Sequence, residues 1–170
     1  MQRYTNRGEY RTYQMLRQLA NEFKDDNFKI YGNLFINSSD KRPNRQVDHL
    51  VICRCGIFML ETKYWMGTIY HNIKIEDLLK LVGGSEMNSQ ATNLLRQLLP
   101  SEVLELPKGE HFTMCIKNRL DIQTYTNFEN PYRQVQQSGM DLNELIQNEN
   151  SIKDVHVYIH EFVFYNWQIL

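Results

Sequence analysis

The sequence predicts an α/β fold, a sandwich in which helices flank a central mixed sheet. At 170 residues the chain is long enough for one compact domain, predicted to span residues 1–170. Helical and strand periodicities alternate, in the order helix, strand, hairpin, helix-bearing insertion, helix, strand. In the hairpin, apolar residues fill both faces of both strands, which is typical of central strands covered on two sides.

The composition narrows the class of protein. A hydrophobic content of 42% and a charged content of 23% are ordinary for a soluble globule. The net charge is −1, so any surface that binds nucleic acid must be a local one. Three cysteines, an odd number without a secretion signal, indicate a reducing compartment and are interpreted as small buried side chains. The chain has no apolar run of about 18 uncharged residues and no apolar targeting core near Met1, so we expect a cytoplasmic protein without membrane contact.

Residues 6–23 are predicted to form the first helix. Tyr13, Leu16, Ala20 and Phe23 recur at helical spacing. Glu9 heads this stripe and has two interpretations that the residues leave open: it caps the helix together with Asn6, or it belongs to a functional site. Basic residues at four-residue intervals form a stripe that is either solvated or faces phosphates; these are Arg3, Arg7 and Arg11.

A strand is predicted over residues 28–37, with Gly32 as a bulge or bend. The turn-prone segment 38–46 follows it. Three basic side chains lie in that segment just before Asp48, namely Lys41, Arg42 and Arg45. Such loops are usually solvated linkers, but three basic side chains so close to Asp48 make this one our candidate for contacts with a nucleic-acid backbone.

The hairpin of residues 47–67 gathers acids and a lysine. Residues two apart on a strand share a face, so Glu61 and Lys63 point the same way. With Arg54-Cys55 as the turn, Asp48 lies opposite Glu61; with Cys55-Gly56 it lies opposite Lys63 and diagonal to Glu61. A regular three-residue loop would instead set Asp48 opposite Thr62, on the wrong face, unless a bulge shifts it. Opposed Cβ atoms are about 5 Å apart, so two carboxylates could converge on one small cation. His49 is expected on the other face, in the core.

An insertion is predicted between about residues 72 and 129. It contains an apolar run to Val82, a break at Gly83-Gly84, a helix over 85–99 and a strand over 111–117. The predicted buried face of that helix is Leu94, Leu95, Leu98 and Leu99. The insertion is interpreted as a structural elaboration, with a substrate or partner surface as the alternative.

A second long helix is predicted from Asn130-Pro131 to about residue 147, since Asn suits the cap and Pro the first turn. Its apolar stripe is Val135, Leu142, Leu145 and Ile146, and Gly139 would allow close packing. Residues 155–165 alternate as a strand does.

The hairpin run VDHLVICRCGIFMLETKYWMG resembles the nuclease-related domain (NERD), a branch of the PD-(D/E)xK nuclease superfamily, in its core "IDH…GIF…ETK…G". Gly8-Glu9 and the run Asn130 to Gln134 match flanking motifs of the family, in the family's order. Val47 stands where the superfamily name has Pro, as is common in this branch. The resemblance implies a restriction-endonuclease-like fold.

The resemblance also implies an activity: Mg²⁺- or Mn²⁺-dependent hydrolysis of phosphodiester bonds by an (endo)deoxyribonuclease, with DNA as the first substrate and RNA as the second. Asp48 and Glu61 would hold the metal, with the backbone carbonyl of Thr62 as a further ligand. Lys63 would position a water or neutralise the phosphate. Glu9 would support the metal site, and Gln134 would orient Lys63 or the phosphate.

Two alternatives stay open. The first is a non-catalytic module that binds nucleic acid or protein and retains the nuclease fold. Against it, the five residues Glu9, Asp48, Glu61, Lys63 and Gln134 are all present. The second is a nuclease subunit of a larger DNA-processing or defence complex, with a helicase or another protein as partner. Such a motor would be a separate partner, because no Walker-type glycine loop occurs in this sequence. A homo-oligomer is also compatible with the sequence.

Overall fold

The computed structural model of the protein describes residues 4, 6–23, 27–37, 44–83, 89–118, 121–149 and 157–165. Its chain divides into two compact units, within residues 1–65 and 134–170 and within residues 66–133. The predicted insertion of residues 72–129 falls inside the second unit. The helices are α1 (Arg7–Glu22), α2 (Ile75–Gly83), α3 (Ser89–Leu98), α4 (Ser101–Leu104) and α5 (Pro131–Asn148). The strands are β1 (Lys29–Ile36), β2 (Arg45–Cys53), β3 (Gly56–Lys63), β4 (Thr68–Lys74), β5 (His111–Asn118), β6 (Asp121–Tyr125) and β7 (Ile159–Tyr165).

The first unit is built on a four-stranded sheet of order β1-β2-β3-β7. β1, β2 and β3 pair antiparallel, and β7 pairs with β3 in parallel. The buried core residues of this unit are Ile36, Val47, Leu50, Met59 and Val135. Leu142 of α5 and Val163 of β7 pack against them. The predicted α/β class with a mixed central sheet is therefore confirmed.

The hairpin of β2 and β3 turns at Arg54-Cys55, because Cys53 pairs directly with Gly56. This is the first of the registers that the sequence left open. Gly56 has φ +140, a backbone conformation that side chains rarely adopt. Cys55 is exposed in the turn and Cys53 half-buried, so only Cys115 fulfils the prediction of a fully buried cysteine.

Of the two alternatives predicted for Gly32, a bulge or a bend, the bulge was wrong. The pairing of β1 with β2 keeps one register from Lys29 to Ile36. Gly32 is instead needed for packing, since an added Cβ would lie 2.8 Å from the ring of Tyr4. Its neighbour Asn33 takes the positive φ, at +56.

α1 begins one residue after its cap, Asn6, as predicted. Its buried residues are Gly8, Glu9 and Thr12, all near its start. The far end of the predicted apolar stripe is not buried, since Phe23 is 52% exposed. The first turn of α1 is therefore its best anchored part.

The second unit contains a three-stranded antiparallel sheet of order β4-β5-β6. Its buried core residues are Leu78, Leu95, Leu99, Val103, Phe112 and Met114. The prediction that Leu94 and Leu98 are buried was wrong, since they are 53% and 44% exposed. Neighbouring helix residues point about 100° apart, so a narrow contact can bury the pair Leu95 and Leu99 and leave the adjacent pair in solvent.

Candidate active site

The hairpin places Asp48 at the end of the backbone ladder between β2 and β3. The last paired residues are His49 and Leu60, so the next step of the register brings Asp48 opposite Glu61. There the Thr62 N–H donates a hydrogen bond of 2.7 Å to Asp48 Oδ2. A side-chain carboxylate thus takes the place of a backbone acceptor, which fixes its orientation while Asp48 is only 8% exposed.

Glu9 reaches the same region from the first turn of α1. The Glu9 N–H donates to Asn6 Oδ1 at 2.9 Å, and Asn6 Nδ2 donates back to Glu9 Oε1. Glu9 is 4% exposed. The capping interpretation of Glu9 is therefore confirmed, and the same reciprocal bonds hold its carboxylate in the cavity that Asp48 also lines.

Lys63 joins the hairpin to α5. Its Nζ donates to Glu61 Oε1 at 2.5 Å and to Gln134 Oε1 at 2.9 Å. The backbone carbonyl of Gln134 accepts a bond of 2.9 Å from the Ser138 hydroxyl. The ammonium group is thus held between a carboxylate and an amide oxygen.

These side chains surround one cavity of about 520 Å³. Its lining residues are Asn6, Glu9, Gln46, Asp48, Glu61, Thr62, Lys63, Tyr64, Trp65 and Gln134. All five residues predicted to be catalytic are therefore brought together, along with Thr62. Gln46, Tyr64 and Trp65 were missed, although Gln46 precedes Asp48 by two residues and the aromatic pair directly follows Lys63.

The charged groups in the cavity have opposite effects on the pKa of Asp48. Burial raises the pKa of Asp48 to about 7, the Glu61 carboxylate adds to this and Glu9 adds less, while the Thr62 N–H and Lys63 act in the opposite direction. The site therefore disfavours its full complement of negative charge unless a cation offsets it.

The donor set suits a hard divalent cation with few protein ligands. Within the described residues, no three His, Cys, Asp or Glu side chains are grouped closely enough to hold a metal ion. Mg²⁺ typically takes one or two carboxylates and completes its octahedral shell with waters and phosphate oxygens. Asp48 and Glu61 can supply these two carboxylates. No group of side chains among the described residues offers the ligand set of a structural Zn²⁺ site.

Comparison with known proteins supplies the family. The family model of the nuclease-related domain, NERD, matches residues 5–106, more than half of the chain. The chain belongs to the NERD family. The matched range includes Glu9, Asp48, Glu61 and Lys63, while Gln134 lies beyond it and accepts a hydrogen bond from Lys63. Neither a curated protein nor a solved structure matches this NERD chain.

His49 of the NERD hairpin lies outside the cavity. It is fully buried, and its ring lies 5.6 Å from that of Tyr4. Burial lowers its pKa to about 4, so the imidazole is neutral at physiological pH. This agrees with the predicted core position on the face opposite Asp48.

The structure describes only some of the residues predicted to contact phosphates. Lys41, Arg42 and Arg3 lie outside the described residues. Arg7 is exposed at the start of α1, and the Arg11 guanidinium lies 5.9 Å from the ring centroid of Tyr64. Their contacts with nucleic acid stay predictions.

Arg45 belongs to β2 and not to the predicted loop. Its Nε lies 2.8 Å from Asp141 Oδ2, in an ion pair whose acid side chain is 1% exposed. Gln137 Nε2 donates to the other carboxylate oxygen at 3.2 Å. Sequence reasoning missed Asp141, although its helical spacing from Ser138 and Gln134 marks a polar stripe on α5.

None of the described helices is long and apolar enough to cross a membrane.

Proposed function

We propose that this NERD protein is a divalent-metal-dependent nuclease that hydrolyses phosphodiester bonds, in DNA first and RNA second. The observation that carries the proposal is the convergence of three carboxylates and one lysine on a single cavity. A NERD family membership is consistent with nuclease chemistry. A purely structural role would not account for an acid that is buried among other acids.

Asp48 and Glu61 would hold Mg²⁺ or Mn²⁺, with the carbonyl of Thr62 as a further candidate ligand. When bound, such a cation lowers the pKa of a water and offsets the charge that develops on the phosphate. The Thr62 N–H pre-orients the Asp48 carboxylate through its bond to Oδ2. Because this bond exists without the cation, little reorganisation is needed for binding.

Lys63 would supply the positive charge that faces the scissile phosphate or its attacking water. Its two bonds, to Glu61 and Gln134, restrict the ammonium to one side of the cavity. Gln134 acts through Lys63 and is a positioning residue. Glu9 would accept hydrogen bonds from waters of the site, since Asn6 holds its carboxylate there.

The proposal also covers the location and the partners of the enzyme. A cytoplasmic enzyme acting alone, as a homo-oligomer, or beside a helicase or another protein partner would be compatible with the composition of the chain.

The test compares two carboxylate-to-amide substitutions in one sheet. Glu61→Gln removes a candidate metal ligand, whereas Glu161→Gln changes a half-buried acid of β7 that pairs with Met59 and does not line the cavity. With Mn²⁺ and linear or circular DNA, Glu61→Gln should lose at least about 100-fold in rate, because even outer partners of metal ligands contribute about 10- to 100-fold. Glu161→Gln should cut at nearly the parent rate.

Metal dependence gives the second readout. Cleavage should require Mg²⁺ or Mn²⁺ and stop in excess EDTA. Full activity in EDTA, or parent activity of Glu61→Gln, would overturn the assignment. If the parent binds DNA tightly and cuts neither strand with either metal, the non-catalytic binding module is the correct reading.

A further inference from the structure

Two aromatic side chains line the cavity beside the proposed chemistry. Tyr64 and Trp65 follow Lys63 directly in the chain, and both are half-buried. The Trp65 ring is packed against Tyr165 at a centroid distance of 5.7 Å. The first turn of α1 fixes Tyr64, because a Cβ on Gly8 would lie 2.7 Å from that of Tyr64. Rigid aromatic groups thus stand next to the lysine that would face a phosphate.

The cavity is larger than the metal chemistry requires. Sites for small organic ligands measure about 300–1,000 Å³. At about 520 Å³ the cavity falls within that range, so it has room for a nucleoside unit together with the phosphate.

Electrostatic attraction within the cavity is a weak source of affinity for a nucleic acid. The net charge of the chain is −1, and the charged residues that line the cavity are three carboxylates and one lysine. Arg45 is paired with Asp141, and Arg11 lies over the Tyr64 ring. Stacking of a base on an aromatic side chain contributes about 1–3 kcal/mol, needs no net positive charge and tolerates any base.

From this we infer that Trp65 is a stacking platform for an unpaired nucleobase next to the phosphate held at Lys63, which makes single-stranded or frayed nucleic acid the substrate class. The faces of bases inside a duplex are covered by their neighbours, so only an unpaired or extruded base can stack there. This inference rests on the proposed nuclease function of the same cavity.

The binding experiment avoids the metal. Trp65 and Trp167 are the two tryptophans of the chain, so Trp167→Phe leaves Trp65 as the sole indole reporter. In EDTA, a short oligothymidylate should quench Trp65 fluorescence, and a blunt duplex of equal length should quench it much less. Trp65→Leu should weaken single-strand affinity about tenfold or more and leave duplex affinity unchanged, while Trp65→Phe should retain most of it.

Tyr158→Leu is the matched control, because this exposed aromatic residue precedes the opposite end of β7 and does not line the cavity. It should bind like the parent. Thermal unfolding of Trp65→Leu and Trp65→Phe separates loss of fold from loss of stacking, since a folded Phe variant that binds single strands supports the inference even if the Leu variant unfolds.

The cleavage experiment distinguishes the two proposals. With Mn²⁺, Trp65→Leu should reduce kcat/KM for single strands about tenfold or more relative to duplex. Cleavage with an unchanged ratio, or equal quenching by duplex and single strand, overturns the stacking inference and leaves the nuclease proposal standing. Selective single-strand quenching without cleavage of any substrate overturns the nuclease proposal and supports stacking as a binding function.

Discussion

Two regions of the first unit bury an aspartate, and they treat its charge in opposite ways. Asp141 is 2% exposed and faces the guanidinium of Arg45. Asp48 is 8% exposed and has Glu61 and Glu9 as charged neighbours, while Lys63 forms its ion pair with Glu61. In the first region the two opposite charges neutralise each other. The second keeps an unfavourable charge arrangement, which is typical of a site that is completed by a ligand.

The largest expected effect is on stability and concerns the ion pair of Arg45 with Asp141. Asp141→Asn removes the partner of a largely buried arginine, so the free energy of unfolding should fall by about 3 kcal/mol. Urea denaturation monitored by circular dichroism measures it. The control is Asp77→Asn, which breaks the exposed pair with Lys80 and should cost less than about 1 kcal/mol. Equal costs for the two variants would show that Arg45 and Asp141 do not form a stabilising pair.

The acid cavity should make the stability of the protein depend on pH. The pKa of Asp48 is raised to about 7 in the folded, metal-free protein, above its ordinary value near 4. Between these values the folded state holds a proton that the unfolded state releases, so the free energy of unfolding should decrease as pH rises from about 4 to 7.

Asp48→Asn should remove this pH dependence and raise the free energy of unfolding at pH 8 by at least about 1 kcal/mol. Denaturation series in EDTA across that pH range provide the measurement. Mn²⁺ affinity of the parent should rise over the same range, since the metal competes with the proton. A parent profile that matches Asp48→Asn would show that Asp48 is not protonated near neutrality.

The smallest expected effect concerns salt. Lys41→Ala with Arg42→Ala should flatten the slope of log affinity against log salt by up to about 2 units on duplex DNA, because each phosphate contact contributes about 0.9. Arg45→Ala should add nothing to that change, since its charge is paired with Asp141. Arg54→Ala, in the exposed hairpin turn, is the control and should leave the slope unchanged. A further flattening by Arg45→Ala would mean that the ion pair opens for DNA.

The sequence predicted what depends on local pattern. The first helix and its Asn6 cap, the two-residue turn as one of the open registers, and the Asn130-Pro131 helix start all follow from spacing and from the chemistry of single residues. Asp48, Glu61 and Lys63 were placed on one face because a two-residue turn leaves few registers, whereas Glu9 was placed at the site only by the family resemblance. β6 was missed because Asp121–Tyr125 has only five residues, too few for a clear alternating pattern, although Ile122, Thr124 and Tyr125 suit a strand.

What could not be predicted depends on partners distant in the chain. Arg45 and Asp141 are about a hundred residues apart, and nothing in either local pattern indicates the pairing. Which of Leu94 and Leu95 faces the core is likewise decided by the sheet that α3 covers. The close contact of Gly32 with the Tyr4 ring depends on where Tyr4 packs against β1, about 28 residues further along the chain.

The two-residue turn at Arg54-Cys55 has a consequence for how this chain can change in evolution. Cys53 pairs with Gly56, and the same register continues without a bulge to His49 and Leu60. Many side chains between Asp48 and Glu61 could be exchanged for others of similar size. A gain or loss of a single codon within the paired part of either strand, unless a bulge absorbs it, would instead turn one of the two acids to the opposite face of the sheet. Among descendants that keep the site, the paired parts of β2 and β3 should therefore vary in amino-acid sequence but not in length.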